Sequence, residues 1–141
     1  MSRQLKLVML NFFILITLTA CDGQQYSLAQ TLAGNEWELI QLNGDDLIFE
    51  SKITLQFENR RVTGFAGCNS YTADYHSDSS GSLSIPEVAR TLLGCSSPAG
   101  VIDQENAYLE ALWTAATYQI ANETLEIRNS EDTVTLVFTK E

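Results

Sequence analysis

The stretch KITLQFENRRVTGFAGCNSYTADY (residues 52–75) reads as three strands in a row. Ile53, Leu55 and Phe57 share one phase, and Thr54 and Gln56 the other. A period of two marks a half-buried strand. Residues 58–60 are a short polar turn, and residues 61–67 resume with Val62 on the inward phase, so a hairpin is expected. Gly64 and Gly67 inside that run predict a bulge, a bend or a close approach of two backbones. Tyr71, Ala73 and Tyr75 then alternate again.

The same rhythm extends both ways. Upstream, WELIQL (37–42) places Trp37, Leu39 and Ile40 in a strand, and Asn43-Gly44 supplies a turn. Downstream, SLSI (82–85) is a short strand ended by Pro86, and RTLLGC (90–95) reads as another. The period then changes. Ile102, Tyr108, Leu109, Leu112, Trp113 and Ala116 fall on one helical stripe, which predicts a helix over 102–116. Asp103, Gln104 and Glu105 lie near its start, where negative charge suits the helix dipole. Residues 117–121, 124–128 and 133–139 return to strands separated by polar turns, the last with Val134, Leu136 and Phe138 in phase. The expected class is α+β, mostly antiparallel β. Its architecture is a curled sheet or partial barrel of short strands with one helix packed on it.

The first 20 residues follow a different logic. Arg3 and Lys6 precede an almost wholly apolar run of 14 residues, Leu7 to Ala20. That is the layout of a secretory signal peptide, and the run is short of the roughly 20 apolar residues a spanning helix needs. Leu18-Thr19-Ala20-Cys21 resembles the lipobox of bacterial lipoproteins. The resemblance implies cleavage before Cys21 and acylation there. Acyl chains bring about 0.8 kcal/mol per buried methylene, enough for several to hold a domain on a membrane without a spanning helix. The alternative is an ordinary signal peptide followed by an incidental cysteine. Residues 21–31 would be a short tether and 32–141 the domain. Asp22 resembles an inner-membrane retention signal of enteric-type sorting; without that rule the outer membrane is the expected address. Either way the expected location is the cell envelope, facing the periplasm.

Removing residues 1–20 takes Arg3 and Lys6 from the 8 basic side chains and none of the 18 acidic ones, so the net charge moves from −10 to −12. Such a surface argues against nucleic acid and anionic head groups as partners, since both need basic patches. With Cys21 assigned to lipid, Cys68 and Cys95 remain as two thiols in an oxidising compartment, where a disulfide is expected. It would close a loop of about 28 residues, worth about 3.6 kcal/mol on the loop-entropy relation. Two buried free thiols, or one reactive one, are the alternative.

No catalytic constellation emerges. His76 is the one histidine and sits by a serine-rich loop, without a nucleophile-elbow motif. Asp74, Asp78 and Ser80 lack the acidic repeat of a calcium loop, and adjacent Asp45 and Asp46 read as a solvated turn. No metal or cofactor is expected. Leu109, Leu112 and Trp113 are expected to pack on the sheet, in preference to forming a partner-binding face.

Several pieces stand in a recognisable order: Trp37-x-Leu39, Asn43-Gly44, and Val62-x-Gly64-x-x-Gly67-Cys68-Asn69-x-Tyr71. Thr91-x-x-x-Cys95, Glu105-x-x-Tyr108-Leu109-x-Ala111-Leu112 and Tyr118-x-Ile120 follow, with Leu125 after them. Over about residues 32–139 this resembles the META domain, the family of the HslJ heat-shock protein. The resemblance implies a compact antiparallel domain with one helix, often on envelope lipoproteins. It carries links to heat stress, secretion and motility but no agreed chemistry. Gly94 departs from the methionine common in the Thr-x-x-x-Cys segment. On this reading Gly64 and Gly67 let the strand bend, Cys68 reaches Cys95 at the end of a later strand, and Asn69 bonds nearby backbone. The motif is then architecture, with ligand binding or redox chemistry as the alternative. Two functions are open: a non-enzymatic module that binds another envelope protein, and a binder of a small apolar ligand between sheet and helix.

Overall fold

A computed structural model describes residues 32–141. The expected signal peptide, Cys21, Asp22 and the tether lie outside these residues.

Strand β1 (Glu36–Leu42) enters a turn at Asn43 and Gly44, with φ of 52° and 86°, and β2 (Asp45–Asp46) folds back on it. Two left-handed residues match the right-handed twist of a hairpin, and Asn-Gly adopts them at low cost. Next come β3 (Thr54–Glu58) and β4 (Arg61–Phe65), the expected hairpin, turned at Asn59 and Arg60 with φ of 49° and 66°. Strand β5 (Ser70–Asp74) pairs with β4. The short β6 (His76–Ser77) and β7 (Leu83–Ser84) form a separate ribbon. Then follow β8 (Val88–Arg90), helix α1 (Val101–Trp113), β9 (Ala115–Ala121), β10 (Thr124–Asn129) and β11 (Val134–Lys140).

The main sheet runs β8-β5-β4-β3-β1-β11-β10-β9, every neighbour antiparallel, with β2 beside β1. It is two meanders joined back to back: β1 pairs β3 on one side and β11 on the other. The sheet curls into a half-barrel. At its far side Tyr118 donates its N–H to the Gly81 carbonyl (2.8 Å), and Ser82 bridges Thr117. The helix lies against the apolar cluster, with Tyr108, Ala111 and Leu112 buried in it. Tyr108 stands edge-on to Tyr71 of β5 and to Phe138 of β11, at ring separations of 5.6 and 6.4 Å. One helical side chain thus touches both meanders.

Gly64 explains one constraint of the β3–β4 hairpin. A Cβ at this position would sit 2.0 Å from the Thr54 carbonyl oxygen. The expected close approach of backbones is therefore present, and only glycine permits it.

Four expectations change. The run 90–95 is not a strand: pairing ends at β8, and after Thr91 the backbone bonds to a side chain instead, so Cys95 lies in a loop. The strand expected over 82–85 shortens to Leu83–Ser84. The helix starts at Val101, after left-handed Gly100, and ends at Trp113. There the Thr114 hydroxyl donates to the Glu110 and Ala111 carbonyls and Ala115 enters β9. The buried stripe is rotated from the expected one: Val101, Gln104, Glu105, Tyr108, Ala111 and Leu112 face inward, whereas Trp113 is 61% exposed. Ile40 is likewise exposed, at a register shift between Leu39 and Gln41.

Candidate functional site

The motif residues do meet in space. Between β4 and β5 the chain bends at Gly67, whose φ of 102° only glycine adopts freely. Cys68 follows and is bonded to Cys95, with Cα atoms 5.9 Å apart. Asn69 comes next and is buried. Its side-chain oxygen accepts from the Thr91 hydroxyl (2.8 Å) and the Leu93 N–H (2.7 Å). Its amide donates to the Leu93 carbonyl (3.4 Å) and to Glu105 Oε1 (2.8 Å). Both lone pairs and both protons are used, the full capacity of the group. Asn69 does bond backbone, as its short side chain led one to expect, but at Leu93, 24 residues on, and not beside it in the chain. Its side-chain partners lie 22 to 36 residues away.

Glu105 is the other half of this cluster. It is fully buried on the inner face of α1. Oε2 accepts the N–H groups of Asn69 (2.6 Å) and Cys68 (3.3 Å), and Oε1 accepts from Asn69 and from Arg90 (2.7 Å). The Arg90 guanidinium also donates to Asn106. A buried carboxylate survives only when its lone pairs and its charge are matched, and here four donors do so, one of them the Arg90 cation. Cys68, Asn69, Thr91 and Cys95 are thus drawn together with two residues whose roles the sequence reading missed, Glu105 and Arg90. A signal existed for one. Glu105 stands at helical spacing from Tyr108 and Leu112, a charge set inside an apolar stripe.

Beside the cluster, Tyr71 and Tyr108 share a hydroxyl contact of 2.6 Å. Tyr71 donates to the Thr54 carbonyl (2.9 Å), so Tyr108 donates to Tyr71. Burial pushes both phenols above their ordinary range; for Tyr71 the neighbouring Tyr108 adds to it.

The other candidates stay apart from this cluster. His76 is exposed on β6. Asp78 accepts from the Ser80 hydroxyl and the N–H groups of Ser80 and Ser82, which hold it below the usual carboxylate range. Asp45 and Asp46 form β2, where successive side chains alternate in direction. Among the described residues no group of three metal-ligating side chains converges.

Open depressions flank the helix. One, of about 400 Å³, lies between β8 and α1 and is lined by Pro86, Glu87, Val88, Leu109, Glu110 and Trp113, with Arg90 and Asn106 at its side. The Trp113 indole N–H donates to the Pro86 carbonyl (3.2 Å). Another, of about 430 Å³, lies over Ala107, Ala111 and Thr114 beside the turn after β10.

A family model described as the META domain matches residues 30–141. No curated protein matches the chain. An NMR structure of a protein from Burkholderia xenovorans is similar at 26% identity and a TM-score of 0.60, covering 78% of this chain and 83% of that one. A second NMR structure matches at 19% identity and a TM-score of 0.60, covering 77% of this chain and 90% of the other, a likeness of fold alone. A crystal structure of a DUF4847 family protein from Bacteroides vulgatus aligns at 18% identity with a TM-score of 0.48, over 62% of this chain and 57% of that one.

Proposed function

We infer function from one premise: the chain belongs to the META domain family, which is not a known enzyme family. On it we propose a non-enzymatic envelope lipoprotein, lipid-anchored at Cys21, whose domain binds another envelope protein in a stress-related role. The observation that supports this reading is the state of the motif. Every polar group of Asn69 and Glu105 is consumed inside the fold, and Cys68 and Cys95 are bonded to each other. A cluster so saturated has no lone pair, proton or thiol to offer a substrate, so the family's signature residues serve the scaffold and leave recognition to the surface. The small-ligand alternative gains no support, because Trp37, Tyr108, Leu112 and Phe138 are buried in the space between sheet and helix.

Two experiments test the proposal. Mass spectrometry of the processed protein should show an acylated N-terminal Cys21, and Cys21→Ser should leave unprocessed precursor; a free, unmodified cysteine would end the lipoprotein reading. Capture from detergent-solubilised envelopes with the full chain should enrich a protein partner, and failure to enrich any would count against the interaction module. Fractionation decides the membrane, with the inner one expected if Asp22 acts as a retention signal.

A further inference from the structure

The two ends of the curled sheet are treated differently. At one end β9 is met by Gly81 and Ser82. At the other, β8 pairs with β5 on its inner side, and among the described residues nothing pairs its outer side. The direction of its backbone groups follows from the ladder. The Thr91 N–H points to the Ser70 carbonyl (3.0 Å). Antiparallel alternation gives Ala89 the same direction and turns the N–H and C=O groups of Val88 and Arg90 outward. An outward row of this kind is a template for another strand.

The groove under that edge has a chemical character of its own. Val88 and Leu109 are half-buried in it. Trp113 forms its wall, exposed yet held in place by its bond to Pro86. A fixed, exposed indole face suits an apolar side chain or a cation. Glu87 and Glu110 also line the groove, both exposed, and neither carboxylate has a hydrogen bond or ion pair among the described residues. Among the described residues the one cation lining it, Arg90, is committed to Glu105. The groove therefore carries two uncompensated negative charges beside an aromatic wall and an open strand edge.

We propose that the β8 edge and this groove bind an extended segment of a partner protein by strand addition, with a Lys or Arg of that segment over Trp113 between Glu87 and Glu110. The inference rests on the interaction-module reading and gives it a site. Charge selects this occupant. A second copy of the chain brings the same acidic groove and a net charge of −12 after removal of residues 1–20, and residues 22–31 contain Asp22 and no basic side chain.

The test uses the full chain, purified as its host processes it, and fluorescent peptides in which Val alternates with Arg. A matched series carries Glu in place of Arg, and a third carries N-methyl groups on alternate amides. The Arg series should bind at least about tenfold tighter than the Glu series, a difference of about 1.4 kcal/mol. N-methylation should abolish binding, because it removes the ladder donors. Trp113→Ala should weaken the Arg series roughly tenfold, the scale of a desolvated cation–π contact. The double change Glu87→Lys and Glu110→Lys should reverse the preference toward the Glu series, a gain that a misfolded protein cannot give. Equal binding of both charge series, or indifference to N-methylation, overturns the proposal. So does a dimer that Trp113→Ala dissolves, since the occupant is then a second copy. Tighter peptide binding after deletion of residues 22–31 also overturns it, because the chain's own segment then fills the groove. Envelope capture with the Trp113→Ala protein separates the two levels. Undiminished capture sinks the site and leaves the module standing; peptide binding as described with no partner captured by the wild type sinks the module and leaves the site.

Discussion

The two meanders of the sheet are held by different means. The C-terminal one, β9-β10-β11, is built of hairpins whose apolar residues alternate: Leu125, Ile127, Leu136 and Phe138 are all fully buried. Its buried polar side chain is Thr135, with one long hydrogen bond to the Ile127 carbonyl (3.4 Å). The N-terminal one, β3-β4-β5-β8, has the same alternation but ends in loops that do not pair with strands. A disulfide, a saturated asparagine and a buried carboxylate hold those loops. The contrast teaches that an irregular backbone can be buried only where side chains take over the bonds a neighbouring strand would have made.

The sharpest way to break the contrast is to remove the carboxylate. Glu105→Ala strands the N–H groups of Cys68 and Asn69 and leaves the partly buried Arg90 unpaired. Loss of one partner of such a pair costs about 3–5 kcal/mol. Chemical denaturation should show that loss, and hydrogen exchange should place it in the 66–69 bend and the 91–100 loop while β10 and β11 stay protected. Uniform deprotection of both meanders would mean that the two are not separable.

Next in size is the disulfide. Reduction, or Cys68→Ser with Cys95→Ser, should cost about 2–4 kcal/mol, so the domain should still fold but melt earlier. Titration of unreduced, unfolded protein with an alkylating reagent should find no reactive thiol at Cys68 or Cys95. Two reactive thiols would remove the bond from the account of the N-terminal meander.

Tyr71 and Tyr108 test the seam between the meanders. Unfolded phenols ionise near pH 10, whereas the folded ones are pushed higher by burial. Above that pH the unfolded chain binds fewer protons than the folded one, so stability falls as pH rises. It is fully present below about pH 10 and lost at up to about 1.4 kcal/mol per pH unit for each phenol. Denaturation midpoints measured from pH 8 to 12 should show the slope, and Tyr71→Phe should reduce it. An unchanged slope in that variant would mean that other groups carry it.

The smallest effect belongs to the C-terminal meander. Thr135→Val removes one weak hydrogen bond and keeps the shape, so the expected change is below about 1 kcal/mol. A loss as large as that of Glu105→Ala would erase the distinction between the two halves.

Much of this was legible locally. Alternation marked β3, β4, β5, β10 and β11, and Asn43-Gly44 marked its turn. The glycines near 64–67 marked both a close approach and a bend. The failures share one cause. Residues 90–95 carry strand-like apolar residues, Leu92 and Leu93, but their backbone partner is the side chain of Asn69, and no periodicity reports that. Trp113 falls at helical spacing from Leu109, yet the helix is turned by Glu105 and Gln104, whose partners lie far along the chain, at Asn69 and Ile48. Gln104 accepts from the Ile48 N–H (2.7 Å) and donates to Ser51, which ties the loop before β3 to the start of the helix.

By itself the sequence determined most of the elements, because strand and helix periods are properties of neighbouring residues. It also determined the acidic charge, and it offered Cys68 and Cys95 as a pair that the structure then joins. The family, too, is written in residue types and spacing. Only the tertiary structure decided that β1 lies between β3 and β11, joining residues about a hundred positions apart, such as Leu42 and Leu136. It alone decided that Glu105 closes the bend at Cys68 and that, among the described residues, β8 is left as the open edge. These are choices among partners that lie far apart in the chain. The free energy that selects them appears only when all the elements are packed at once, since a buried charge or an unpaired edge has no cost until water is removed from around it.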